Sequence, residues 1–188
     1  MEKSLKKEMQ IGIDEKTGQL YFGDKKKDIR LLMLRPIDLI EFSEFAGSNA
    51  DDIVVWVGKS LGRAFMEKFF ENKDWSSENM ATRKEVLLGV LEAMEVMGYG
   101  HLTAIFKKNF ILIEAVDSLA SDEQDNIMAK NLCLLTQGIL NGMFEILNID
   151  VDSEEIECVL VNGQKCVYQF SLIGVVLEDS LVEEDTKE

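Results

Sequence analysis

All three cysteines of this chain fall between Asn131 and Phe170, at Cys133, Cys158 and Cys166, and Glu155 stands three residues before the second of them. Three thiolates and a carboxylate, drawn from one helix and two neighbouring strands, would give a divalent ion such as zinc four ligands in a closed tetrahedron. A site of that kind leaves no water position, so its metal would hold the fold together rather than do chemistry. The competing reading is plain burial, because free cysteine is among the most buried residue types. A C-x7-C pair with a third cysteine upstream is also less specific than paired C-x2-C motifs. Either way, an odd number of cysteines fits a reducing compartment better than a disulfide framework.

The charge balance narrows the partners. With 35 acidic against 20 basic residues, the net charge of −15 opposes a phosphate backbone, so no nucleic-acid partner is expected. No run of eighteen apolar residues occurs, and Met1 to Glu8 is charged rather than a signal peptide. A cytoplasmic protein with no membrane contact is the expectation. A single proline and 188 residues fit one main domain. We divide the chain into an N-terminal hairpin and strand (1–35), the domain proper (36–177) and an acidic tail expected to be mobile (178–188).

Two short apolar runs between Ile11 and Phe22 flank Asp14-Glu15-Lys16-Thr17-Gly18, which reads as a hairpin, and Ile29 to Leu34 reads as another strand after a turn at Gly23–Asp28. Pro36 marks the first position of a short helix that stops near Gly47. Ser48 and Asp51 have the spacing of a capping box for a long helix from about Asn49 to Asn72, with Val54, Val57, Gly58, Leu61 and Phe65 at helical intervals. A third helix is expected from Ser77 to Met97, with Val86, Leu87, Val90, Leu91, Met94 and Met97 on one stripe and Gly98 at its end. Leu102–Phe106 and Phe110–Val116 then read as a strand pair. The helix that carries Cys133 runs to about Leu147. Its glycines, Gly138 and Gly142, call for something packed closely against them.

The last strand pair, Ser153–Val161 and Gln164–Leu172, is expected to turn at Asn162-Gly163, which brings Cys158 and Cys166 near cross-strand register. Glu155 and Cys158 are an odd number of residues apart. On a regular strand they face opposite sides, so a bulge near Ile156 is required if both bind one ion. The whole is an α+β arrangement, antiparallel strand pairs packed with several helices.

Cys133 with Gly138 and Gly142 downstream, Glu155-x2-Cys158, Cys166 and the following Val167-Tyr168-Gln169-Phe170 resemble the 4-vinyl reductase domain family. That family includes small-molecule sensor modules, such as those of phenol-responsive bacterial activators, and stand-alone prokaryotic proteins. The resemblance assigns zinc ligation to Cys133, Glu155, Cys158 and Cys166 and implies a fold similar to the core subunits of vesicle-tethering complexes. It also implies a homodimer and a cavity between helices and sheet that takes a small apolar or aromatic molecule. A sensor of this kind would signal to a separate downstream protein, since the chain carries no G-x4-GK[ST] and no basic recognition helix.

Trp56, Phe65, Tyr99, Phe106, Phe110, Leu112 and Phe144 supply the aromatic and apolar surface such a cavity needs, and His101, the sole histidine, is its candidate polar anchor. For each of them, ordinary core packing, or a surface place for His101, is the competing reading. Met94, Met97, Met128 and Met143 would make the interior adaptable. Catalysis is not the expectation, because no G-x-G-x-x-G follows a strand and the proposed zinc is saturated. A reductase or accessory protein of tetrapyrrole metabolism, or a scaffold without a cavity, stands as the alternative.

Overall fold

A computed structural model describes residues 11–22, 29–70, 73–161 and 163–182. The first elements follow the alternation in the sequence. Strand β1 (Ile11–Asp14) pairs antiparallel with β2 (Gln19–Phe22), and β3 (Ile29–Leu31) adds to the other edge of β2. The carbonyl of Asp14 accepts the amides of Thr17 and Gly18 (3.2 and 2.7 Å) to close the turn. The segment Met1–Glu8 and the turn at Gly23–Asp28 lie outside the described residues. This small sheet inserts Phe22 against Phe65, ring centres 6.0 Å apart, and against the fully buried Ala93.

Pro36 opens helix α1 (Pro36–Ala46), whose start is fixed by Asp38 accepting the Arg35 amide at 2.8 Å and its guanidinium at 2.6 Å. The chain leaves α1 through Gly47 at φ +62°. The capping box expected of Ser48 and Asp51 does not form. Residues Gly47–Asn49 make a 3-10 turn instead, and Asp51 accepts from Lys130 at 2.9 Å. Helix α2 spans Ala50–Phe69. Helix α3 (Met80–Val96) begins later than expected, since Trp75–Ser77 forms its own 3-10 turn on Asp74 and Asn79 caps α3 by accepting the Thr82 amide at 2.9 Å.

Strands β4 (His101–Phe106), β5 (Phe110–Val116), β6 (Val151–Glu157) and β7 (Cys166–Leu172) form one antiparallel sheet in the order β4-β5-β7-β6. Helix α4 (Lys130–Ile146) comes between the two hairpins in the chain. The inward positions Leu102, Phe106, Ile111, Ile113, Ala115, Cys166, Tyr168 and Phe170 are buried in one cluster with Leu87, Val90, Leu91 and Met94 of α3 and Leu132, Leu140, Met143 and Phe144 of α4. The α+β reading therefore holds. The final hairpin is wider than a two-residue turn: β6 stops at Glu157 and β7 starts at Cys166, with Asn162 outside the described residues.

Helices α2 and α4 make the most extensive helix–helix contact. Gly138 and Gly142 find their partners in Gly58 and Gly62. A Cβ placed on Gly58 would stand 2.5 Å from the Leu135 carbonyl oxygen, and one on Gly138 would stand 2.6 Å from that of Val55. Gly62 and Gly142 leave still less room, against the carbonyls of Ile139 and Lys59. The correspondences advance together, so the helices run in the same sense along a seam in which backbone meets backbone. Each Cα–H to carbonyl contact at such a seam contributes about 0.5–1 kcal/mol, which offsets the helix propensity that glycine gives up.

Two further ties bind the layers. Arg83, 8% exposed on α3, donates to the carbonyls of Asn148 (2.8 Å) and Trp75 (2.7 Å). Beyond the sheet, Leu177 is buried and its amide donates to Lys108, while Lys84 donates to the Leu181 carbonyl at 2.9 Å, so the described part of the acidic tail lies along the domain.

Candidate metal centre

Cys133 lies near the start of α4 and is buried. Gln137 and Asn141, one and two turns further along, donate to Ser153 (3.0 and 2.8 Å) and so hold α4 against β6. On β6 the ladder slips once. Glu155 pairs with Tyr168 and Glu157 with Val167, leaving Ile156 as the extra residue of a bulge. The half-exposed Ile156 side chain turns outward, and the parity of the strand is corrected so that Glu155 and Cys158 can serve the same side. The Cys158 carbonyl then accepts the amides of Val161 (3.0 Å) and Gly163 (3.1 Å), a turn that returns the chain to Cys166.

The ligand atoms of Cys133, Glu155, Cys158 and Cys166 all lie within 4.8 Å of one another. Cys133 Sγ is 3.7 Å from Cys158 Sγ and 3.8 Å from Cys166 Sγ, far beyond a disulfide bond, and all three cysteines are free. A tetrahedron with metal–sulfur bonds of about 2.3 Å has sulfur–sulfur edges of about 3.8 Å. The carboxylate supplies the second piece of evidence, since its Oε1 is buried without a hydrogen-bond partner among the described residues. The cluster could therefore hold a metal ion.

Its electrostatics ask for one. A hydrogen bond from the Cys133 thiol, joined by the Val159 amide and the Ser118 hydroxyl, outweighs burial and lowers Cys166 to about 5. Cys133 is raised far above the ordinary thiol range as the donor of that bond and by its own burial. Burial pushes Cys158 up to about 11 against the pull of the Leu160 amide, and burial together with the charge of Cys166 pushes Glu155 up to about 7. Four acids in so small a space cannot all ionise unaided, and a divalent cation is the counter-charge that would let them.

The eight residues expected to line a cavity are placed in different surroundings. Phe106 and Phe144 are core, with Phe144 stacked on Phe170 at 4.6 Å. Phe110 and Leu112, half-buried, share the sheet face opposite Ile111 and Ile113. Trp56 is 65% exposed on α2, and Phe65 packs under the N-terminal sheet. Tyr99 is half-buried beside the core, and burial raises its phenol above the ordinary range. His101 is exposed and sits 2.6 Å from Glu95, which also accepts the Leu102 amide. None of the eight lines either of two open hollows. One, of about 520 Å³, is bounded by Phe70, Trp75, Glu145 and Asn148; the other, of about 390 Å³, by Glu155, Glu157, Cys158 and Gly163. The second opens on the cysteine cluster. Arg83 and Gly62 give only faint signals in the sequence, one as a lone arginine in a helix and the other as a glycine four residues after another.

No protein-family model matches the chain, and no curated protein matches it. Solved structures do. The phenol-responsive sensory domain of the transcription activator PoxR, determined with phenol, is similar over 87% of this chain and 85% of its own, at 15% identity and a TM-score of 0.65. An H-NOX protein from S. oneidensis in the Fe(II)NO ligation state is similar over 80% of this chain and 83% of its own, at 13% identity and a TM-score of 0.51. A trafficking protein particle complex subunit 3 from Naegleria fowleri, covalently bound to palmitic acid, covers 76% of this chain and 99% of its own at 13% identity, with a TM-score of 0.48. The likeness is one of fold. Among the described residues no helix is long and apolar enough to cross a membrane.

Proposed function

We propose that this chain is a zinc-stabilised, non-catalytic module that binds a small hydrophobic or aromatic molecule and passes the event to a separate protein. The observation that carries the reading is the four-donor cluster, whose sulfur–sulfur spacings of 3.7 and 3.8 Å match the edges of a zinc–thiolate tetrahedron. Zinc is the cation such a donor set favours, since three thiolates and one carboxylate are soft to borderline and leave no open position. Bound there by Cys133, Glu155, Cys158 and Cys166, it would fasten the start of α4 to the last hairpin.

Support for ligand capture comes from the shared fold of the PoxR sensory domain, which was solved with phenol. The 4-vinyl reductase resemblance of the cysteine region points the same way. The chamber in this reading opens between α3, α4 and the sheet, around Phe106 and Phe144, where the buried Met94 and Met143 can repack around a guest. Tyr99 and Phe65 flank it in the proposal, and His101, Trp56, Phe110 and Leu112 contribute only if the ligand-bound form rearranges.

Native mass spectrometry of the purified protein, followed by thermal-shift measurements against phenols, alkylphenols and fatty acids, tests both halves. One zinc per chain, a dimeric mass and a stabilising phenol or hydrocarbon are the expected results. A flavin, nicotinamide or tetrapyrrole carried with turnover would overturn the non-catalytic reading, and a metal-free protein indifferent to every compound would overturn the whole.

A further inference from the structure

Tyr168 is the largest fully buried side chain of the core, yet its hydroxyl oxygen has no hydrogen-bond partner among the described residues. Buried hydroxyls are normally satisfied, and a ring needed only for packing could be phenylalanine, as Phe170 is two residues along the same strand face. The place of Tyr168 in the sheet is what marks it out. On β7 it is the next inward residue after Cys166, and across the ladder it faces Glu155. Its unsatisfied hydroxyl thus belongs to a side chain set beside two of the four cluster members, one on its own strand and one across the ladder.

We infer that Tyr168 is a positioning residue of the metal centre, its hydroxyl donating a hydrogen bond to the Cys166 thiolate when the four ligands hold a cation. This rests on the metal-site reading above. A ligating thiolate keeps lone pairs that accept from neighbouring donors, and such outer contacts orient the ligand and tune its basicity. Cys166 already has one hydroxyl close by, Ser118 Oγ at 3.6 Å. A second donor would fix the direction of its sulfur and lower its tendency to take up a proton and let the metal go.

The test compares the unaltered protein with Tyr168→Phe, each loaded with cobalt(II). The variant should keep the circular dichroism of the parent and melt no lower than the parent when both are metal-free. Its thiolate-to-cobalt charge-transfer band should move to longer wavelength, and competition with a chelator should show about 10- to 100-fold weaker metal binding. A merely structural role would lower stability and leave the band in place. A variant with the parent's band and affinity overturns the inference alone, whereas a parent without any charge-transfer band removes the metal-site reading and this inference with it. Should Tyr168→Phe fail to fold, the unaltered protein loaded with cadmium decides the matter by NMR. A slowly exchanging phenol proton in contact with the Cys166 β-protons supports the inference, and a freely exchanging one, or contact with Glu155 alone, overturns it.

Discussion

Cys133 Sγ at the start of α4 and Cys158 Sγ just past the end of β6, 25 residues apart in the chain, lie 3.7 Å apart. In the metal-bound protein of our proposal this junction is coupled to folding. Treatment with a strong chelator should lower the melting temperature by about 10 °C or more, taking about 2–4 °C per kcal/mol for a chain of this size. Cys158→Ser should reproduce most of that loss and leave less than one zinc per chain by elemental analysis. A variant with full zinc and the parent's melting temperature would remove Cys158 from the ligand set.

Gly62→Ala should destabilise the protein, although in an isolated helix the same change gains about 1 kcal/mol. The added methyl has only the Ile139 carbonyl to meet, and overpacking of this kind costs about 1–3 kcal/mol. Urea unfolding should show a lower midpoint with an unchanged slope; a higher midpoint would mean that the α2–α4 seam has slack.

Arg83→Met should lower stability by about 2–4 kcal/mol, because it leaves the Trp75 and Asn148 carbonyls without their charged donor. The same denaturant titration checks it, and a loss below about 1 kcal/mol would show that water replaces the guanidinium at both carbonyls.

The hydrogen bond to the Arg35 side chain, and then that to its backbone amide, hold the Asp38 carboxyl below the ordinary aspartate value of 3.8. A depressed carboxyl contributes stability above its unfolded value and loses it as the pH falls through the folded one. The Arg35 amide resonance should therefore titrate with a midpoint below 3.8, and Asp38→Asn should abolish that step. A midpoint at or above 3.8 would mean that the contact at the start of α1 is not kept in solution.

Much of this fold is legible in the sequence because its signals are local. Asp14 to Gly18 spells a turn, the alternation from Phe110 to Val116 spells a strand, and the odd interval from Glu155 to Cys158 demands the bulge that the ladder shows at Ile156. Where a distant contact competes with a local signal, the reading fails. Asp51 leaves its expected capping place to pair with Lys130, and the final hairpin opens to a longer connection in which Cys158 and Cys166 begin and end the return. Gly62 gains its meaning only from Ile139, and Arg83 only from two carbonyls, neither visible at one-dimensional range. Aromatic residues were the least informative, since Phe106 in a core and Phe106 in a chamber wall obey the same pattern.

Along the glycine seam neither helix can slide past or roll over the other without a carbonyl oxygen striking an α-carbon. The two helices therefore move as one body, with the thiol cluster at the N-terminal end of α4 and Trp56 presented to the outside from the neighbouring end of α2. A tilt of α4 at Cys133, whatever provokes it, must be delivered to the outer surface through α2.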